Sequence, residues 1–438
     1  SVPMLVISAD NARAQLGLGQ GRLHDTENLA AAMTQCSVWS HTLKSPDQLP
    51  EVLARAFSIF SSQRPGPVHL SIPIDVITAA ADTVDIKPWS LPTRPAANLD
   101  ALQRAAVLLQ SAKRPVIALG GGSADAFTSI QELVERVDAP VTLTHNAKGV
   151  IPPGHPLLVA SSPSYKPVRD LYHDADVVLG IGTEFSETDY DFFFDGGFSL
   201  GGSLIRVDID SAQLSRNARP ELAICADAEL AITALLPLLQ STRRNGQERT
   251  AAVNDQLKAF DSSDYQVFLD TLQRALPGAA VMGDSTQPAY FAAAQYHAPQ
   301  PRRFASAATG YGTLGYALPA AFGARLGLPE TPVIALIGDG GLQFTINELS
   351  TAVEAELSVA VVVWNNERYE MIAQNFDAAG MKPIACDIHT PDFLAIAQGY
   401  GCRAVQVTSL SELEAALVAS QDFAGPTVIE AREEDFLQ

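Results

Sequence analysis

Two short segments, Gly338-Asp339-Gly340-Gly341 and Asn365-Asn366, carry residue types and a spacing that could do chemistry. The run Val333-Ile334-Ala335-Leu336-Ile337 has the unbroken apolar character of a parallel strand buried on both faces. It ends at the first of these segments, and residues 342–355 read as the helix that follows. A second apolar run, residues 359–364, ends at the asparagines. About 27 residues separate Asp339 from Asn366, the length of one strand–helix–strand crossover. An Asp and an Asn therefore fall at the carboxyl ends of two strands flanking one helix, the edge of an open α/β sheet where ligands bind. Hard oxygen ligands, bare glycine amides and a helix N-terminus suit a divalent cation that holds a diphosphate. Taken alone, Gly-Asp-Gly would be an ordinary strand–turn–helix with an N-cap Asp.

Three further segments could serve the same site. Gly283-Asp284-Ser285-Thr286-Gln287 follows the apolar run 279–282. Its hydroxyls and amides at a strand-to-helix turn suit phosphate oxygens, or simply cap the next helix. Gly310-Tyr311-Gly312-Thr313-Leu314-Gly315 is a glycine-rich loop before a helix that starts near Leu318. Its glycines let the backbone approach a ligand closely. Asn366-Glu367-Arg368-Tyr369-Glu370 continues from the asparagine pair. Glu370 reads either as a site carboxylate or as a solvated helix charge.

These segments need sheets to hold them. The 438 residues suffice for two to three domains, are 47% hydrophobic and carry a formal charge of −20. That sign argues against nucleic acid and anionic membrane as partners, and no apolar run reaches the length of a bilayer span. Cys36, Cys225, Cys386 and Cys402 are scattered without metal spacing and read as reduced thiols of a cytoplasmic protein. Two hydrophilic stretches, 82–98 and 241–263, read as linkers. They divide the chain into 1–81, a central domain 99–240 and a third domain 264–438. In the central domain, residues 114–122, 141–144, 176–182 and 204–210 read as strands, with helices near 105–110 and 130–137. Gly120-Gly121-Gly122-Ser123 is a glycine cluster too short to identify a nucleotide loop by itself. Residues 4–8 read as a core strand with nothing before it, and only about 80 residues precede the first linker, short for a doubly wound domain.

At Gly338–Gly341, Asn365-Asn366 and the glycine-rich loop, the chain resembles the thiamine diphosphate enzymes of the acetolactate synthase and 2-oxo acid decarboxylase superfamily. Arg64-Pro65-Gly66-Pro67-Val68-His69-Leu70 strengthens the resemblance, which covers the whole chain. It implies an α/β fold of three doubly wound, Rossmann-like domains, parallel sheets flanked by helices. The first domain, which in the family binds the pyrimidine, is expected to be truncated to its second half. The resemblance further implies Mg²⁺ held by Asp339, Asn366 and the main chain of Arg368. The diphosphate is expected on Ser285, Thr286, Gln287 and the turn Gly338, Gly340, Gly341. The cofactor's aminopyrimidine is expected against the main chain of Gly312 and Leu314, with Leu314 beneath the cofactor's bend. Acetolactate synthases commonly have glycine where Glu370 falls, so a carboxylate there suits a cationic substrate or a proton donor. His24 falls near a position that faces a neighbouring subunit's site, whereas His41 reads as a surface or core histidine. Thr183-Glu184-Phe185-Ser186-Glu187 replaces the arginines that accompany FAD in acetolactate synthases, which makes FAD doubtful.

The resemblance implies non-oxidative decarboxylation of a small 2-oxo acid. Gly17-Leu18-Gly19-Gln20-Gly21-Arg22-Leu23-His24 and the two cofactor loops look most like decarboxylases of 5-guanidino-2-oxopentanoate (2-ketoarginine). The alternatives are an acetolactate synthase-type carboligase and an inactive fragment or assembly module. The last arises because the family's essential glutamate lies in the half-domain that has no counterpart here, so the decarboxylase reading is that of the intact protein, and this chain alone is expected to turn over no 2-oxo acid. A homodimer or homotetramer, with the active site between subunits, is expected of the intact protein.

Overall fold

Unbroken runs of Val, Ile, Leu and Ala form the strands of the computed structural model, which describes residues 1–82, 84–192, 194–260 and 264–437. Parts of the expected linkers, at 83 and 261–263, and of the expected central and third domains, at 193 and 438, lie outside the described residues. The first sheet comprises β1 (Met4–Asp10), β2 (Trp39–Thr42) and β3 (Pro67–Pro73), in the order β1-β3-β2. The second comprises β4 (Pro115–Leu119), β5 (Val141–Leu143), β6 (Val177–Ile181), β7 (Ser203–Asp208) and β8 (Leu222–Cys225), in the order β5-β4-β6-β7-β8. The third comprises β9 (Ala280–Gly283), β10 (Phe304–Ser306), β11 (Val333–Gly338), β12 (Ala360–Asn365), β13 (Arg403–Val407) and β14 (Thr427–Arg432), in the order β10-β9-β11-β12-β14-β13.

Every pairing within these sheets is parallel, with helices packed on the faces. All residues of β11 and β12 are buried, as continuous apolar character requires of a strand covered on both sides. The α/β class and its three parallel sheets follow the sequence expectation.

Three local expectations meet a different outcome. Residues 342–355 form two helices, Asp339–Thr345 and Glu348–Glu354, and the first begins at Asp339 itself. The joint falls at Thr345-Ile346-Asn347, residues of modest helix propensity, and Thr345 turns its hydroxyl to the Gly315 carbonyl at 3.0 Å. β1 occupies the edge of its sheet rather than a core position, and its Met4 and Ile7 are 48% and 58% exposed.

The stretch 241–263 contains the helix Gly246–Leu257, which packs against the central sheet. Its polar composition hid it, because the buried face is only Gly246, Thr250, Val253 and Leu257. Arg244 anchors its start by donating to the carbonyls of Leu109, Gln110, Ala112 and Val137. By contrast, residues 84–98 hold no regular element. They are tied to the central domain by the Pro95 carbonyl and by the Arg94–Asp227 pair at 3.0 Å.

Candidate active site

β9, β11 and β12 lie side by side, so the turns that leave their carboxyl ends share one edge of the third sheet. The connection after β9 leads to β10 on one side, and that after β11 leads to β12 on the other. The turns after β9 and β11 therefore flank a topological switch point, the crevice where open α/β sheets take ligands.

The turn after β11 places Asp339 at the first position of its helix, 3% exposed. Burial pushes its carboxyl up to about 6, against the opposing pull of the Gly340 and Glu367 amides. Its Oδ2 is buried and has no hydrogen-bond partner among the described residues. A buried acceptor in that state is costly, and it points to a group the site is built to receive.

The turn after β12 lies beside Asp339, with the Glu367 amide against the Asp339 carboxyl. Glu367 adopts a left-handed conformation, φ +55°, which curls residues 366–368 back on themselves. Asn366 Oδ1 accepts from the Arg368 amide at 3.2 Å, and its Nδ2 donates to Glu433 Oε2 at 3.2 Å. Arg368 faces Asp387 in an isolated antiparallel bridge. The hydrogen bonds of that bridge run from the Tyr369 amide to Cys386 and from the Ile388 amide to Glu367, leaving the Arg368 carbonyl outside them.

The oxygens that the two turns offer a cation are one carboxylate, one carboxamide and one main-chain carbonyl. Among the described residues, no cluster of three or more His, Cys, Asp or Glu side chains could hold a metal. An oxygen-only set with an unpaired Asp oxygen fits Mg²⁺, a hard cation that keeps water and phosphate in its remaining positions.

Asp284, at the end of β9, was not foreseen as a site residue. It is fully buried, and both oxygens accept main-chain amides: Ser285 at 2.9 Å and Gly315 at 3.2 Å on Oδ1, Ala317 at 2.9 Å on Oδ2. Burial raises its pKa and the amide bonds oppose the rise. Asp284 thereby holds the glycine-rich loop against β9. A Cβ on Gly341 would lie 2.7 Å from Asp284 Oδ1, so the turns after β9 and β11 fit together only with glycine there. The sequence held one clue, since Gly283-Asp284 repeats the Gly338-Asp339 pattern at a strand end.

The remaining expected residues lie around this frame. Ser285 Oγ donates to the Gly312 carbonyl at 3.3 Å, so that carbonyl already has a partner. Thr286 precedes the helix Gln287–Gln295 without a side-chain capping bond, and Gln287 Nε2 is buried and without a partner among the described residues. Leu314 is half-buried in the loop, between Gly312 at φ +60° and Gly315 at φ +82°. Glu370 opens the helix Glu370–Ala378, where it pairs with Arg368 Nη1 at 3.3 Å and accepts from Gln374 at 3.0 Å. His24 is not brought to this site. It is exposed at φ +60° in the first domain and shares no hydrogen bond or ion pair with the turns after β9, β11 and β12 among the described residues. His41 stacks on Trp39 with ring centroids 5.6 Å apart.

A cavity of about 160 Å³ opens beside Gln287, between the central and third domains. His145, Tyr165, Phe192, Tyr265 and Tyr290 contribute to its walls. Burial and then the charges of Glu433 and Glu370 raise the Tyr265 hydroxyl well above its ordinary value. In the central domain, the Gly120 and Gly122 amides bond to the carbonyls of Ile181 and Gly182. A Cβ on Gly120 would stand 2.2 Å from the Gly182 oxygen, so these glycines serve close loop packing. Glu184, in the acidic segment beyond, pairs with Arg64 of the first domain.

No helix among the described residues is long and apolar enough to cross a membrane. The family model described as "Thiamine pyrophosphate enzyme, C-terminal TPP binding domain" matches residues 284–431, and the model of the family's central domain matches residues 102–235. Among curated proteins, the chain is 37% identical over 445 residues to the "Probable 2-ketoarginine decarboxylase AruI" of Pseudomonas aeruginosa, covering 99% of this chain and 78% of that protein. It is 28% identical to the acetolactate synthase isozyme 1 large subunit of Escherichia coli, with the same coverage. Among solved structures, benzoylformate decarboxylase from Polynucleobacter necessarius shares the fold with a TM-score of 0.82 at 23% identity, covering 100% of this chain and 83% of that one. The chain belongs to the thiamine pyrophosphate-dependent enzymes, with 2-oxo acid decarboxylases and acetolactate synthases among its relatives.

Proposed function

We propose that the protein decarboxylates a 2-oxo acid with a cationic side chain, in the first place 5-guanidino-2-oxopentanoate, using thiamine diphosphate held through Mg²⁺. The observation that carries this reading is the buried, unpartnered Oδ2 of Asp339 beside Asn366 at the switch point. Asp339, Asn366 and the Arg368 carbonyl hold the cation. Ser285, Thr286, Gln287 and the turn of Gly338, Gly340 and Gly341 hold the diphosphate at two helix N-termini. The Gly312 and Leu314 main chain orients the pyrimidine, and the Leu314 side chain keeps the cofactor bent. When bound, thiamine diphosphate supplies the electron sink for the pair left behind by departing CO₂.

The choice of substrate rests on Glu370. It already receives one guanidinium, that of Arg368, which has a second carboxylate partner in Asp387 at 3.1 Å. A substrate guanidinium can take the Glu370 carboxylate while Arg368 keeps Asp387. The 37% identical relative named as a 2-ketoarginine decarboxylase supports the same substrate. For the assembly, we propose a homodimer or homotetramer in which the first domain, with His24, faces a neighbouring subunit's site. The exposed Val2, Ile7, Leu18 and Leu23 of that domain support this arrangement.

The test is CO₂ release by the intact protein from 5-guanidino-2-oxopentanoate and from pyruvate, with Glu370→Gln alongside. The expected result is faster turnover of the guanidino acid and a raised KM for it in E370Q. Faster conversion of pyruvate into acetolactate would replace this reading with that of a carboligase, which the acetolactate synthase relatives favour.

A further inference from the structure

Asn365, the last residue of β12, and Asn366 after it are gripped by carboxylates of β14 and of the short helix Glu433–Phe436 that follows it. Asn365 Nδ2 donates to Glu430 Oε1 at 2.6 Å, and Asn366 Nδ2 donates to Glu433 Oε2 at 3.2 Å. The second grip matters more, because Asn366 is the proposed cation ligand and only the oxygen end of its carboxamide can ligate. The two ends of a carboxamide are nearly the same size, so hydrogen-bond partners decide which end faces where. A carboxylate accepts only, so Glu433 takes the NH₂ end. The oxygen is left to the other side, where it meets the Arg368 amide and keeps a second lone pair.

Glu433 is itself held. Trp364 Nε1, which can only donate, gives its hydrogen to the same Oε2 at 2.8 Å. Trp364 is 1% exposed and wedged among Phe268, Tyr265 and Phe436, at ring-centroid distances of 5.0, 5.7 and 6.0 Å. The orientation of Asn366 is therefore referred through one carboxylate oxygen to a rigid aromatic cluster in the core. Glu433 lies beyond residue 431, where the match to the family's TPP-binding domain ends.

We propose that Glu433 is a positioning residue of the cation site. By fixing the Asn366 carboxamide with its NH₂ end on Glu433 and its oxygen on the opposite side, beside the Arg368 amide, it preorganises Mg²⁺ binding and, through Mg²⁺, diphosphate binding. The inference rests on the reading of Asp339 and Asn366 as cation ligands. Residues that orient a metal ligand typically contribute 10–100-fold in affinity.

The experiment titrates Mn²⁺ into the full chain with saturating thiamine diphosphate and follows the free-ion EPR signal. E433A, E433Q, N366A and D339A are compared with E434A, a carboxylate exposed on the same turn. Thermal midpoints are measured in parallel. E433A should weaken Mn²⁺ binding roughly tenfold. E433Q, whose side-chain oxygen can still accept both hydrogens, should retain most of the affinity, and E434A should match the wild type. Wild-type affinity in E433A beside lost affinity in N366A would overturn the inference while leaving the cation site standing. An E433A deficit that disappears on correction for the unfolded fraction would also overturn it. Wild-type affinity in D339A and N366A, or no Mn²⁺ binding by the wild type, would remove the cation site and the inference together.

Discussion

Asp284 Oδ2 accepts the Ala317 amide at 2.9 Å, which ties the end of β9 to the first residue of the helix Ala317–Gly327. With the Gly315 amide on Oδ1, this bond makes the glycine-rich loop a clamped segment rather than a free one. Removing the carboxylate leaves three amides without their acceptor. Asp284→Ala should therefore cost about 3 kcal/mol of stability or more and weaken cofactor binding through the loop. Asp284→Asn, which keeps the shape and one acceptor, should cost less. Urea unfolding with and without thiamine diphosphate checks both, and equal stability of D284A and wild type would refute the clamp.

Asp339 should show a trade between stability and binding. Its folded pKa, about 6, lies above the ordinary carboxylate value. The folded state therefore favours the protonated form, and the ionised form costs stability once the pH exceeds that value. Without ligands at pH 7, Asp339→Asn should be more stable than wild type by roughly 1–3 kcal/mol. With Mg²⁺ present, Asp339→Ala should bind thiamine diphosphate on the order of 100-fold more weakly. In EDTA, wild type and variant should converge. Calorimetric titration in the two buffers decides, and a deficit that persists in EDTA would show that the residue does not act through a cation.

Leu314 separates binding from turnover. A half-buried Leu in the loop over the crevice can hold the cofactor bent without holding it in place. Leu314→Ala should lower kcat roughly tenfold with a smaller change in cofactor affinity. Unchanged turnover in L314A would move the bend-enforcing role elsewhere.

Lys148 gives a pH dependence that does not involve the proposed site. Lys148 is 6% exposed between the central and third domains, and its Nζ donates to the Tyr296 carbonyl at 2.8 Å. Burial lowers its pKa to about 7, with Asp189 opposing. In the unfolded chain a lysine titrates near 10.4. Between these values the unfolded state binds the extra proton, so stability rises with pH across that window. Below the window the full cost of the buried charge is present. Lys148→Met should be more stable than wild type near neutral pH, by an amount that shrinks as the pH approaches about 10. Denaturant unfolding of both proteins across this range is the check, and parallel stability curves would sink the expectation.

Much of this protein could be read from local chemistry. Runs such as Val333–Ile337 must be buried on both faces, so they form parallel strands, and a strand that ends in Gly-Asp-Gly-Gly or Asn-Asn puts polar groups at a sheet edge. Those features depend on near neighbours in the chain, which is why Asp339 and Asn366 were legible. Other features depend on which segments meet across long separations. The helix Gly246–Leu257 escaped notice because its buried face is narrow and includes Thr250, so its signal lay below that of its polar surface. The edge position of β1 follows from strand order, which periodicity does not encode. That Asp284 would clamp Gly315 and Ala317, that Asp339 Oδ2 would be left without a partner, and that Glu433 would hold both Trp364 and Asn366 were settled only by tertiary packing. Local sequence sets the type and spacing of polar groups, whereas burial and the paired ends of distant strands decide which of them remain unsatisfied and able to take a ligand.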